Sequence, residues 1–93
     1  MTPKTKEEFF KFYLWQRVIK VIGNSMTTMT QTGIADKMNI PTASIYIILY
    51  ELERQGLIVR VQYEYKINVS LTSRGRMVWK AFSDIENIIG KRI

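Results

Sequence analysis

The sequence has no cysteine and no histidine. That removes disulfides, Cys/His zinc sites, thiol nucleophiles and imidazole acid–base chemistry. Proline occurs twice and glycine five times in 93 residues, so there is no Pro- or Gly-rich linker, and no repeat or low-complexity segment breaks the chain. No apolar run approaches the ~18 residues that a membrane helix requires. Residues 1–8 mix charges of both signs and lack the apolar centre of a signal peptide, so an intracellular location is expected. Acidic residues are also scarce. Asp36, Glu51, Glu53, Glu64, Asp84 and Glu86 form neither a paired-carboxylate nor a metal-ligand pattern, and no glycine loop could cradle a phosphate. The expectation is a protein that is not an enzyme, with no metal and no cofactor.

What remains is an apolar, basic chain. Hydrophobic residues make up 46% and charged residues 24%, the balance of a globule that buries roughly 65% of its unfolded surface in one core. A single domain over residues 1–93 is expected. Fourteen Lys/Arg against eight Asp/Glu give a net charge of +6, which favours a polyanionic partner.

The order of elements can be read from periodicity and stop signals. Residues 6–22 form an apolar-rich helix with Glu7 and Glu8 at its start and Lys20 near its end, as the helix dipole prefers. Gly23-Asn24 is expected to end it, with Gly23 as a left-handed cap. The β-branched Thr27, Thr28 and Thr30 predict an extended stretch over 25–29. Thr30 then N-caps a short helix to about residue 38. Pro41 lacks an amide proton and biases Ile40 out of the helical region, so a new helix begins near Thr42 and runs to about 55. Gly56 ends it, with Leu57 folded back onto Leu52.

From 58 to 71 the residues Val59, Val61, Tyr63, Tyr65, Ile67, Val69 and Leu71 alternate with Arg60, Gln62, Glu64, Lys66, Asn68 and Ser70. This predicts a hairpin with one wet face, turning near 62–65. Thr72 caps a last helix to about 89. The chain is therefore mainly α with a small β-hairpin, an α+β arrangement in the order α-β-α-α-β-β-α, which is the order of a winged helix-turn-helix.

Two short helices that cross nearly in contact need a small residue at the crossing, and Ala35 supplies it. Four residues on, Asn39 is the non-glycine type that best tolerates a left-handed turn. Ile34, Met38, Ile40, Ile45, Ile48, Leu49 and Leu52 complete a buried stripe. The helix-turn-helix then spans about 31–55 and the wing about 58–71.

The run Ser44-Ile45-Tyr46-x-x-Leu49-x-x-Leu52-Glu53-x-x-Gly56-Leu57-Ile58, followed by Leu71-Thr72-x-x-Gly75, resembles winged-helix transcription regulators of the MarR and PadR types. In size and plan the chain is also similar to small winged-helix proteins of archaeal viruses, for which the cytoplasm would be the host's. The resemblance covers about residues 30–82. It implies a DNA-binding regulator whose second helix, 42–55, enters the major groove, with the wing on the backbone or minor groove and terminal helices 6–22 and 72–89 forming a homodimer.

Carried onto this sequence, the exposed face of the recognition helix comprises Thr42, Ala43, Ser44, Tyr46, Ile47 and Tyr50. Hydroxyls can bond base edges or phosphates, and Ala or Ile can touch thymine methyls. Between 42 and 52 there is no Arg, Lys, Asn or Gln, so bidentate reading of guanine or adenine is missing and DNA shape becomes important. Tyr46 either reads bases or lies half-buried against a neighbouring helix. Lys37, Arg54, Arg60, Gln62 and Lys66 are the candidate phosphate and wing contacts, Arg60 and Lys66 foremost, with Arg74, Arg76 and Lys80 beyond them.

Phe9, Phe10, Tyr13, Trp15, Trp79, Phe82 and Ile88 exceed what one stripe can hide, so they are candidates for the dimer interface, the other reading being a bundled aromatic core in a monomer. The alternative is a winged-helix module that docks protein through Tyr46, Ile47 and Tyr50 without reading DNA. The expected partner is double-stranded DNA. Nothing in the sequence names a small-molecule effector.

Overall fold

The computed structural model describes residues 6–25 and 28–90, with side chains from residue 11 onward. Its elements are α1 (Lys6–Asn24), β1 (Met29–Thr30), α2 (Gln31–Met38), α3 (Thr42–Arg54), β2 (Ile58–Tyr63), β3 (Lys66–Leu71) and α4 (Ser73–Ile89). This is the expected α-β-α-α-β-β-α winged-helix order. β3 is the central strand of an antiparallel sheet ordered β1-β3-β2. The short β1 completes it by pairing Met29 with Val69 and Thr30 with Asn68. The extended stretch expected over 25–29 falls partly on residues 26–27, which lie outside the described residues.

The caps follow the side-chain chemistry. Thr30 accepts a hydrogen bond from the Gly33 amide at 3.0 Å and starts α2. Thr72 does the same for α4 through the Gly75 amide at 3.0 Å, while its hydroxyl donates to the Gly56 carbonyl at 2.6 Å. Asn39 closes α2 in the left-handed region, at φ 56° and ψ 47°. After α3, Gly56 adopts φ +76°. The Leu57 amide donates to the Leu52 carbonyl and the Gly56 amide to the Glu53 carbonyl, the bond pair of a Schellman ending.

The core is built from Val18, Ile19 and Ile22 of α1, Ile34, Ala35 and Met38 of α2, and Ile45, Ile48, Leu49 and Leu52 of α3. Leu57, Ile58, Val69 and Leu71 of the hairpin region close it. Each fully buried Ile, Leu or Val contributes about 1.5–3 kcal/mol. α4 lies over this core through half-buried Val78, Trp79 and Phe82.

Two expectations are corrected. The first helix stops at Gly23-Asn24 as expected, with Asn24 its last residue, but Gly23 is not a left-handed cap. A Cβ at Gly23 would lie 2.3 Å from Trp79 Cδ1, so this position is a close approach between α1 and α4. The second correction concerns the wing. The hairpin closes on the two-residue loop Glu64-Tyr65, with Tyr63 opposite Lys66, so odd positions of β2 face even positions of β3.

Val59, Val61 and Tyr63 therefore share the solvent side with Lys66, Asn68 and Ser70, and Val61 is 58% exposed. Ile58, Arg60 and Gln62 share the other side with Ile67, Val69 and Leu71. The physical reason lies at the strand's start. Leu57 and Ile58 both bury as the chain leaves the Schellman turn, and Ile58 sets the inward parity that brings Arg60 inside.

Candidate nucleic-acid interface

α3 has two unlike faces. Ile45, Ile48, Leu49 and Leu52 are buried, at helical spacing. Thr42, Ala43, Ser44, Tyr46, Ile47 and Tyr50 are all exposed, and Ile47 is 60% accessible. The six residues expected on the reading face thus lie together on one surface. Glu51 is taken out of play by Lys11 of α1, whose Nζ lies 2.6 Å from its carboxylate.

Both tyrosines of this face carry an arginine. The Arg54 guanidinium carbon lies 6.0 Å from the Tyr50 ring centroid, and that of Arg60 lies 5.2 Å from the Tyr46 ring centroid. Arg60 also donates to Glu53 Oε1 from Nη2 at 2.8 Å and from Nε at 3.2 Å. Its side chain is only 13% exposed. The wet-face position expected for Arg60 is therefore corrected: its guanidinium faces α3 and is engaged by a carboxylate and a ring. From the sequence, Glu53 belongs to the winged-helix-like motif and carries no expected contact with Arg60. It lies seven residues before Arg60 across a chain reversal, and only the strand register shows that the two meet.

The other candidate cations are Lys37, Arg54 and Lys66, and Lys37 lies beside Arg17 and Lys20 of α1. Lys37 is exposed in the last turn of α2, and Arg54 in the last turn of α3, positions that the helix dipole favours. Lys66 is exposed where β3 leaves the turn and has no ion-pair partner among the described residues. Gln62 Nε2 donates to the Glu64 carbonyl at 3.3 Å, tying the wing tip to itself.

On the terminal helices the expected interface residues divide. Trp15, Trp79 and Phe82 are half-buried against the core of their own chain. Trp79 Nε1 donates to Asn24 Oδ1 at 3.0 Å, and Phe82 meets Phe12 edge-to-face with centroids 6.3 Å apart. Lys20 of α1 pairs with Glu86 of α4. Tyr13 and Ile88 are exposed, Ile88 at 84%. The side chains of Phe9 and Phe10 lie outside the described residues.

Phe12, Met77, Ile85 and Ile89, which belong to the same apolar excess of the two terminal helices, are also exposed. Met77, Ala81, Ile85 and Ile88 form a second apolar stripe beside the one that packs inward.

Among the described residues no group of three or more acidic side chains could hold a metal ion, and no helix is long and apolar enough to cross a membrane. No protein-family model matches this sequence, and neither does any curated protein. Solved structures do match the fold. An Archaeoglobus fulgidus protein superposes with a TM-score of 0.78 at 16% identity, over 82% of this chain and 87% of that one. Streptococcus pneumoniae FabT, solved in complex with DNA, superposes with a TM-score of 0.77 at 22% identity, over 85% of this chain. Only 57% of the FabT chain is covered.

MepR is a transcription regulator of the Staphylococcus aureus multidrug efflux pump MepA. Its complex with DNA superposes with a TM-score of 0.76 at 22% identity, over 91% of this chain and 67% of that one. At these identities the likeness shows the winged-helix fold.

Proposed function

We propose that this protein is a dimeric, sequence-selective double-stranded-DNA-binding regulator of transcription, with α3 in the major groove and the wing on the backbone or minor groove. The observation that carries this reading is the face of α3. Six side chains stand exposed there on a helix whose other face is fully committed to the core, and FabT and MepR were solved with DNA in this same fold. Within that fold, the motif from Ser44 to Gly75 favours the MarR and PadR types, with the small archaeal viral proteins beside them. The net charge of +6 supplies long-range attraction to phosphate.

Lys37, Arg54 and Lys66 are the phosphate contacts in this reading, with Gln62 at the wing tip. Arg60 acts from behind Tyr46. Thr42, Ser44, Tyr46, Ile47 and Tyr50 face the bases. The exposed apolar residues Phe12, Tyr13, Met77, Ile85 and Ile88 of α1 and α4 form the two-fold interface, which sets two copies of α3 about 34 Å apart for half-sites one helical turn apart.

The test is titration of labelled duplexes at 50 and 200 mM salt together with sedimentation of the free protein. A dimer neutralising ~6–10 phosphates loses affinity ~10³–10⁵-fold across that range. Ile88→Glu makes the protein monomeric and weakens binding. A protein that binds no duplex at 50 mM salt overturns the proposal. In that event Tyr46, Ile47 and Tyr50 serve instead as aromatic and aliphatic anchors for a protein partner.

A further inference from the structure

We infer that α3 reads thymine through its 5-methyl group, with Ile47 as the specificity-determining side chain; the inference rests on the DNA-binding reading above. Three observations lead there. The first is what the reading face lacks. Its exposed residues are Thr42, Ala43, Ser44, Tyr46, Ile47 and Tyr50, so no amide or guanidinium of that face can make the paired hydrogen bonds that identify guanine or adenine.

The second is the disposition of the nearest guanidinium groups. Arg60 is held by Glu53 and by the ring of Tyr46, and Arg54 lies over Tyr50. Arg60 is not free to take over base reading without giving up those contacts, and Arg54 stands exposed in the last turn of α3, where this reading gives it to the phosphate backbone.

The third is Ile47 itself. It is 60% exposed, beside the row that Tyr46 and Tyr50 make one turn apart, on a helix whose core face is already occupied by Ile45, Ile48, Leu49 and Leu52. Its branched side chain can neither donate nor accept a hydrogen bond. In the major groove the distinctive apolar feature of a base pair is the thymine C5-methyl, which Ala and similar small apolar groups contact. Ile47, flanked by the Ala43 methyl one turn earlier, presents a methyl-bearing surface to such a site. The tyrosine and threonine hydroxyls alongside can bond either kind of base pair and discriminate less. Thymine-bearing half-sites are therefore the substrate class.

The test first selects a binding site from a random duplex pool with the full-length protein at 50 mM salt. Each thymine of that site is then replaced by deoxyuridine, which keeps every hydrogen-bonding group and removes only the methyl. At the contacted thymines the wild-type protein loses about three- to tenfold in affinity per methyl removed. Ile47→Ala binds the thymine site more weakly and no longer distinguishes thymine from deoxyuridine there. Placing 5-methylcytosine opposite guanine at the same position recovers part of the affinity that unmethylated cytosine loses, again only with Ile47 present.

Because Ile47 is exposed, the variant keeps its fold, which circular dichroism checks. Selective binding that ignores methyl removal, or an Ile47→Ala protein that still senses it, overturns the inference and leaves the regulator reading standing. Absence of salt-sensitive duplex binding overturns both.

Discussion

The Arg60 guanidinium carbon sits 5.2 Å from the centroid of the Tyr46 ring, so a wing residue rests on a residue of α3. Glu53 fixes the arrangement by accepting two hydrogen bonds from the same guanidinium. The wing and α3 are thereby joined beyond the short turn that connects them.

The first prediction follows from that junction. Arg60→Ala leaves the Glu53 carboxylate without its partner, and chemical denaturation should show a loss of about 1–2 kcal/mol. A double-mutant cycle between Arg60→Ala and Tyr46→Leu should return a coupling of about 0.5–1 kcal/mol for the stacked pair. Arg60→Lys retains the charge but loses the planar fork, so it should recover only part of the stability. Additive single-mutant effects would show that the ring and the guanidinium do not interact.

A second prediction tests the parity of the wing. Val61 is 58% exposed and Val69 is fully buried, although period-two reading puts both on one apolar face. Val61→Thr should change stability by less than about 0.5 kcal/mol. Val69→Thr places a hydroxyl in the core and should cost about 1–3 kcal/mol. Glu64, at φ 58°, occupies the turn position that favours glycine, so Glu64→Gly should stabilise the hairpin by about 0.5–1 kcal/mol. Equal costs for the two valine variants would restore the single-faced hairpin.

The same residues show how far the sequence alone could reach. The helix-turn-helix is legible because its constraints are local. Thr30 and Thr72 cap within three residues, Asn39 is a residue type suited to a left-handed turn, and Pro41 and Gly56 interrupt helices for reasons of backbone chemistry. The exposed face of α3 follows from helical periodicity once that helix is placed. The facing of the wing is not legible, because its turn is Glu64-Tyr65, with neither glycine nor proline, and one residue of register inverts every side chain of a strand. The side that Arg60 takes depends on that register, and so does its ion pair with Glu53. Gly23 could be read as a cap from its local sequence. Its actual use depends on Trp79, 56 positions along the chain.

The third prediction ranks three glycines by what each would strike. A Cβ at Gly75 would lie 2.0 Å from the Leu57 carbonyl oxygen, an atom already accepting the Thr72 amide at 3.1 Å. The obstacle is the Leu57 peptide backbone, with the Leu71 Cβ at 3.3 Å beside it, and neither is the flexible end of a side chain, so Gly75→Ala should cost about 3 kcal/mol. At Gly23 the obstacle is the Trp79 ring, from 2.3 Å, and a side chain can swing away. Gly23→Ala should cost about 1–2 kcal/mol. It should also shift the tryptophan emission, because moving the ring breaks the Nε1–Asn24 hydrogen bond. Gly90 has open space around it and only its φ of +96° to satisfy, so Gly90→Ala should cost about 1 kcal/mol through backbone strain alone. Denaturation of the three variants should give the order Gly75, Gly23, Gly90. A Gly75→Ala protein as stable as Gly90→Ala would mean that the α3–β2 junction at Leu57 is not the rigid point on which α4 is seated.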